Sequence, residues 1–281
     1  MVRIITDTTA GLPTEITKKY HIPVIPQVIN FGTDSYLEGI DMNNNAFMER
    51  LRNSAELPKT AAPPPELFSR EFARLVPEGE TILCIHPSAD VSGTVRSATV
   101  AAQDFPGADI RIIDTRTIGS PLATLVQLAA EWAVDGIDGD TIEMRLQAMI
   151  PNSVIYFLVS TLEYLTKGGR IGGAAALLGS VLQIKPILIF ADGHVDQFEK
   201  ERTYRRALAR LKELVFTQAP RNGSAYLSVM HAAVPDLAKD LATEVCTEYN
   251  LASIPILDVP PAIVTHGGPG ILAVAFFRSP S

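Results

Sequence analysis

The chain has 281 residues, 47% of them hydrophobic and 20% charged, and its 24 Lys and Arg against 31 Asp and Glu give a formal net charge of −7. That length exceeds what one hydrophobic core usually serves, so two domains are expected. An acidic balance without a run of Lys or Arg argues against a nucleic-acid partner, and no apolar run reaches the ~20 residues needed to span a bilayer.

Arg3 to Thr6 reads as a short β-branched strand, followed by the turn Asp7-Thr8-Thr9-Ala10-Gly11-Leu12-Pro13. Asp7 reads as a residue that ties down loop backbone, with a catalytic carboxylate as the lesser alternative. Thr14 is placed to cap the helix EITKKY. Ile22 to Phe31 alternates as a strand, and Asp34 to Ile40 is its expected partner. A helix over Met42 to Leu51 leads to Lys59-Thr60-Ala61-Ala62-Pro63-Pro64-Pro65 and the helix ELFSREFARLV. Proline marks a helix start, so Thr60 is expected just upstream of a helix N-terminus, where free N–H groups favour an anion.

Thr81 to Ile85 reads as a buried parallel strand containing Cys84, then comes the loop His86 to Thr94 and the helix VRSATVAAQDF. This order puts Ser92 at an N-cap with the Gly93 and Thr94 amides behind it. Ser92 is then either a plain cap or, with those amides, a carboxylate cradle. Ile110 to Ile113 is a further strand ending at Asp114-Thr115, and Ser120 precedes the apolar helix PLATLVQLAAEWAV. Such a succession implies a parallel sheet covered on both faces, with ligands at the carboxyl ends of its strands, where Asp7, Ser92 and Asp114 fall.

After a helix over Thr141 to Met149, a second domain is expected, giving boundaries of 1–152 and 153–281. Its expected strands are VIYFLV, KPILIF, the DGHV hairpin partner, SAYLSVMHA, SIPILDV and the closing ILAVAFF. TYRRALARLKELVF and PDLAKDLATEVCTEY carry apolar residues at helical spacing, so each buries one face. His266 in His-Gly-Gly-Pro-Gly is expected on a tight turn, as a surface residue or beside a ligand. No signal-peptide pattern opens the chain, and Cys84 and Cys246 are expected as reduced buried thiols of a cytoplasmic protein.

Familiar nucleotide, hydrolase and metal fingerprints are missing: neither a phosphate loop, a dinucleotide-binding glycine motif nor Gly-x-Ser-x-Gly occurs, and the five histidines lack metal-ligand spacing. No cofactor is expected. The central stretch is LEYLTKGGRIGGAAALLGSVLQIKPILIFADGHVDQFEKER, from Leu162 to Arg202. It reads as a turn of helix ending at Gly168-Gly169, Arg170 on a tight turn, a small-residue helix GGAAALLGSVL, a buried strand and an Asp192-Gly193 hairpin. Such a helix beside an apolar strand either packs closely with no ligand or lines a slot for a long apolar molecule.

LEYLTKGGRIGGAAALLGSVLQIKPIL with DGHV and KER resembles the signature segment of the DegV family of bacterial fatty-acid-binding proteins, and the likeness covers nearly the whole chain. Thr60 with its following prolines, Ser92-Gly93-Thr94 and the closing His-Gly-Gly-Pro-Gly also match. Ala61 and Ala62 depart from the usual Ser-Gln, and His86 from the usual serine. The resemblance implies an N-terminal α/β/α parallel-sheet domain, and a C-terminal α+β two-layer domain with a mixed sheet. It implies a long-chain fatty acid held in a tunnel between the two, its carboxylate bound by Thr60, Ser92 and Gly93 with His266 in the network. It further implies a partner, the dihydroxyacetone-kinase-like catalytic subunit of a fatty acid kinase, which Arg170 and Arg202 would face during acyl-phosphate formation. On this reading the chain is a carrier subunit without catalysis of its own. The alternative is a serine hydrolase using Ser92 as nucleophile and His266 as base, which would turn over a p-nitrophenyl acyl ester.

Overall fold

The computed structural model describes residues 1–177 and 184–279. Its contacts divide it into two compact units, Met1–Ile150 with Pro260–Ala262, and Pro151–Val259 with Ile263–Ser281.

The first unit runs β1 (Val2–Asp7), α1 (Thr14–Lys19), β2 (Val24–Ile25), β3 (Val28–Phe31), β4 (Asp34–Leu37), α2 (Asn44–Asn53), β5 (Lys59–Ala61), α3 (Pro65–Leu75), β6 (Thr81–His86), α4 (Thr94–Ala102), β7 (Ile110–Asp114), α5 (Ser120–Val134) and α6 (Gly139–Met149). Among the described residues its main sheet has the order β2-β1-β6-β7, every pair parallel. Register pairs Ile5 with Cys84 and His86 with Asp114, so Asp7, His86 and Asp114 share the carboxyl edge. The apolar residues of these strands leave both faces needing cover, as parallel sheets do. Phe68 and Phe72, one turn apart on α3, are fully buried with Ile5, Ile82, Cys84 and Ala98. Each such phenylalanine contributes about 1.5–3 kcal/mol by its removal from water. β4-β3-β5 forms a separate antiparallel sheet.

Three local expectations are corrected in this unit. Ile22 to Phe31 is two strands in different sheets, because Pro26 has no N–H to continue a ladder and Gln27 turns its side chain into the protein. Pro13, not Thr14, is the N-cap of α1, so no side chain caps that helix. Thr60 lies in β5 opposite Ile29 rather than beside a helix N-terminus, since α3 begins only at Pro65.

The second unit runs β8 (Ser153–Leu158), α7 (Glu163–Lys167), β9 (Lys185–Ala191), β10 (His194–Glu201), α8 (Tyr204–Gln218), β11 (Ser228–His231), α9 (Pro235–Tyr249), β12 (Ile256–Asp258), α10 (Pro261–Gly267, whose first residues count with the other unit) and β13 (Leu272–Phe277). Its described strands form one mixed sheet, β10-β9-β8-β13-β11-β12, with only β11 and β12 parallel. Val154, Tyr156 and Leu158, alternate residues of β8, pack with Leu211, Leu214 and Val215 of α8 and Leu241 and Val245 of α9. The hairpin turns at Asp192 (φ 51) and Gly193 (φ 91), and two successive positive φ values are what such tight turns demand. The small-residue segment is a 3₁₀ helix over Gly172–Leu177, and the rest of that expected helix lies outside the described residues. Gly172 has φ 51, and a Cβ there would run into the Val195 carbonyl, while one at Gly173 would overlap the Asp196 carboxylate. These two glycines therefore let the segment lie against β10.

Candidate functional site

At the carboxyl edge of the parallel sheet, β1 ends in Asp7, whose side chain is wholly buried. Its Oδ1 accepts from the Thr9 amide at 3.0 Å, the Thr9 hydroxyl at 2.6 Å and Gln27 Nε2 at 3.0 Å. Its Oδ2 lies 2.8 Å from His86 Nδ1, which is also wholly buried. A carboxylate only accepts, so Nδ1 is the donor of this bond. His86 is the last residue of β6 rather than a loop residue, and its ring stands edge-on to Phe68 at 5.3 Å. Its Nε2 has no hydrogen-bond partner among the described residues. Asp7 thus holds together β1, the Gln27 segment and β6, in line with its expected role as a tie for loop backbone.

Gln27 Nε2 also reaches the buried Thr94 hydroxyl at 2.8 Å, and that hydroxyl lies 2.7 Å from Ser92 Oγ. Ser92 is half-buried and accepts from the Thr94 amide at 3.3 Å. It is not the N-cap: Gly93 is, with φ −76 and ψ 4, because the Ser92 amide is already turned back to the Ser88 carbonyl at 3.1 Å. Gly93 is exposed, and a Cβ there would sit 3.2 Å from Ala62 Cβ, which places the end of β5 beside the Ser92–Gly93 turn. Thr60, half-buried in β5, stands two residues before Ala62. The structure therefore assembles a hydroxyl, an exposed glycine and a second strand end in one place. Asp114 is used locally, accepting from the Arg116 amide at 2.8 Å and the Ala89 amide at 3.3 Å.

A second buried carboxylate adjoins this network. Glu38, 4% exposed, accepts from the Thr8 hydroxyl and from the Ala262 amide at 2.9 Å. Thr8 in turn accepts from the Gln27 amide at 3.1 Å. Burial pushes the Glu38 carboxyl up to about 7, which the two hydrogen bonds oppose and the nearby Asp7 charge reinforces. Gln27 and Glu38 carry no motif, and the separation of 67 residues from Gln27 to Thr94 left no periodic signal to read.

In the second unit, His266 lies in the last turn of α10 rather than on the turn after it. The positive-φ glycines Gly268 and Gly270 make that turn, and a Cβ on them would strike the Tyr164 ring and Ser160. A Cβ at Gly168 would overlap His266 Nδ1, so the absence of a side chain at Gly168 is what admits the imidazole. Burial, with the Arg170 charge beside it, holds the His266 imidazole down to about 4, so it is neutral at pH 7. Arg170 is half-buried and donates from Nη1 to the Gly168 carbonyl at 2.7 Å. Glu163 pairs at 2.6 Å with Lys167, one turn away on α7. Arg202 follows β10 and is exposed. Of the two cysteines, Cys84 is buried, which pushes its thiol up, and Cys246 is only half-buried. No helix among the described residues is long and apolar enough to cross a membrane.

A two-unit α/β protein with a hydroxyl-and-amide cradle at the carboxyl edge of a parallel sheet defines a class of small-molecule binders. The chain belongs to the DegV family: a family model described as an uncharacterised protein of the DegV family matches residues 1–279. It is 34% identical over 277 residues to a DegV domain-containing protein of Halalkalibacterium halodurans, covering 98% of each chain. With one from Streptomyces coelicolor it shares 35% over 277 residues, covering 97% of each. Among solved structures it is similar to a fatty-acid-binding DegV family protein from Streptococcus agalactiae, with TM-score 0.91, 29% identity and 99% of each chain covered. It is similar too to DegV, a fatty acid binding protein from Bacillus subtilis, with TM-score 0.89, 28% identity and 99% of each chain covered.

Proposed function

We propose that this chain binds a long-chain fatty acid and presents its carboxylate to a separate kinase subunit that forms an acyl phosphate. The observation that carries the reading is the Ser92–Gly93 turn: a half-buried serine and an exposed glycine at the carboxyl edge of the parallel sheet, with the end of β5 against them. Support comes from the structural neighbours above, which are fatty-acid-binding proteins similar over 99% of the chain. Uncharged donors suit the task, because a buried ion pair costs desolvation at both partners and would quench the oxygen that must attack phosphorus.

In this proposal Ser92, Gly93 and Thr60 receive the carboxylate. Arg170 and Arg202 serve the phosphoryl step by placing positive charge on the moving phosphate. Titration of delipidated protein with a C16 or C18 fatty acid tests binding: saturable uptake at one per chain is expected. Absence of uptake by folded protein would contradict it.

A further inference from the structure

Hydrogen counting along the buried network fixes the direction of every bond in it. Asp7 Oδ1 is an acceptor, so the Gln27 amide group presents Nε2 to it at 3.0 Å, and the second Nε2 hydrogen goes to Thr94 Oγ1 at 2.8 Å. Thr94 is wholly buried, so its own hydroxyl hydrogen has no water to reach. Ser92 Oγ, 2.7 Å away, is the remaining oxygen among its hydrogen-bond partners, and Thr94 donates to it. Ser92 Oγ also accepts from the Thr94 amide at 3.3 Å. Both lone pairs of the serine are then engaged, and its hydrogen alone is left to point outward.

We infer that Gln27 and Thr94 are positioning residues that lock Ser92 as a donor, making the turn selective for an acceptor-only head group, a carboxylate, over one that must itself donate. The inference rests on the fatty-acid reading and deepens it. Polarity originates at Asp7 and passes through Gln27 and Thr94 without a proton changing hands. The Gly93 amide is likewise a donor, so a head group without its own hydrogen satisfies both. A hydroxyl head group would have to place its hydrogen where neither Ser92 Oγ nor the Gly93 amide offers an acceptor.

The test uses delipidated protein and two probes of equal chain length, hexadecanoate and hexadecan-1-ol. Wild type is expected to prefer the acid. Thr94→Val removes the relay hydroxyl while keeping the shape, and should weaken hexadecanoate about tenfold while changing hexadecanol less than about twofold. Thr94→Ser should restore the preference. If Thr94→Val does not fold, Gln27→Met severs the same chain one residue upstream, with the same loss of preference expected. Wild-type preference with an indifferent Thr94→Val, or equal loss of both probes without rescue by serine, overturns the relay alone. Wild type binding neither probe overturns the fatty-acid reading and the relay with it.

Discussion

Glu38 gives the structure a pH signature of calculable sign and size. Its carboxyl titrates near 4.5 in the unfolded chain and at about 7 in the fold, chiefly because burial penalises the charge. Between those values the folded chain holds a proton that the unfolded chain has released. Unfolding then releases that proton, so stability falls as pH rises from about 4.5 to about 7 and is flat on either side. A displacement of about 2.5 pH units at about 1.4 kcal/mol per unit amounts to about 3 kcal/mol. Glu38→Gln keeps the shape and an acceptor for the Ala262 amide but does not titrate. Its stability relative to wild type should therefore grow by about 3 kcal/mol between pH 4.5 and pH 8. The imidazole of His266, held down to about 4, contributes the opposite slope, but equally in both proteins. Trp132, the single tryptophan, lies on α5 in the same unit as Glu38, so urea unfolding followed by its fluorescence reports the relevant unit. A difference between the two proteins that stays constant across this range would refute the argument.

Ser92→Ala should weaken fatty-acid binding by ~1.5–3 kcal/mol, up to roughly a hundredfold, with Thr60→Ala acting more mildly or jointly; calorimetric titration reads both, and unchanged affinity in the double variant moves the head-group site elsewhere. Arg170→Ala should keep its lipid and its melting temperature yet fail to support acyl-phosphate formation with a cognate kinase, and Arg170→Lys should be poor because an ammonium lacks the planar fork. Full turnover with Arg170→Ala would sink that role. Gly168→Ala should drive the His266 ring from its place, since its Cβ overlaps Nδ1. The imidazole should then titrate closer to 6.5 by NMR, and an unmoved value would show that the ring tolerates the methyl group.

Legibility in the sequence followed the range of the interactions. The β9–β10 hairpin was readable because Asp192-Gly193 states its own geometry, and α8 and α9 because their apolar spacing is helical. The alternation of strands and helices carried the parallel sheet and hence the edge on which Asp7 and the Ser92 turn lie. Cap identity was not readable at Ser92, where the return of its amide to Ser88 moves the cap to Gly93. Nor was the 3₁₀ form of Gly172–Leu177, which depends on the backbone of β10 coming close. Gln27 and Glu38 stood in unremarkable strand and turn sequence, and only tertiary folding brings them to Thr94 and Ala262. His86 was singled out, but its pairing with Asp7 spans 79 residues.

Whether this chain carries a fatty acid is read by native mass spectrometry of the purified protein beside organic extraction of the same sample. The expected result is a mass above that of the 281-residue chain by one acyl chain, and recovery of about one free fatty acid per protein. A single species at the bare polypeptide mass, with no acyl chain in the extract of well-folded protein and none taken up on incubation with hexadecanoate, would contradict it.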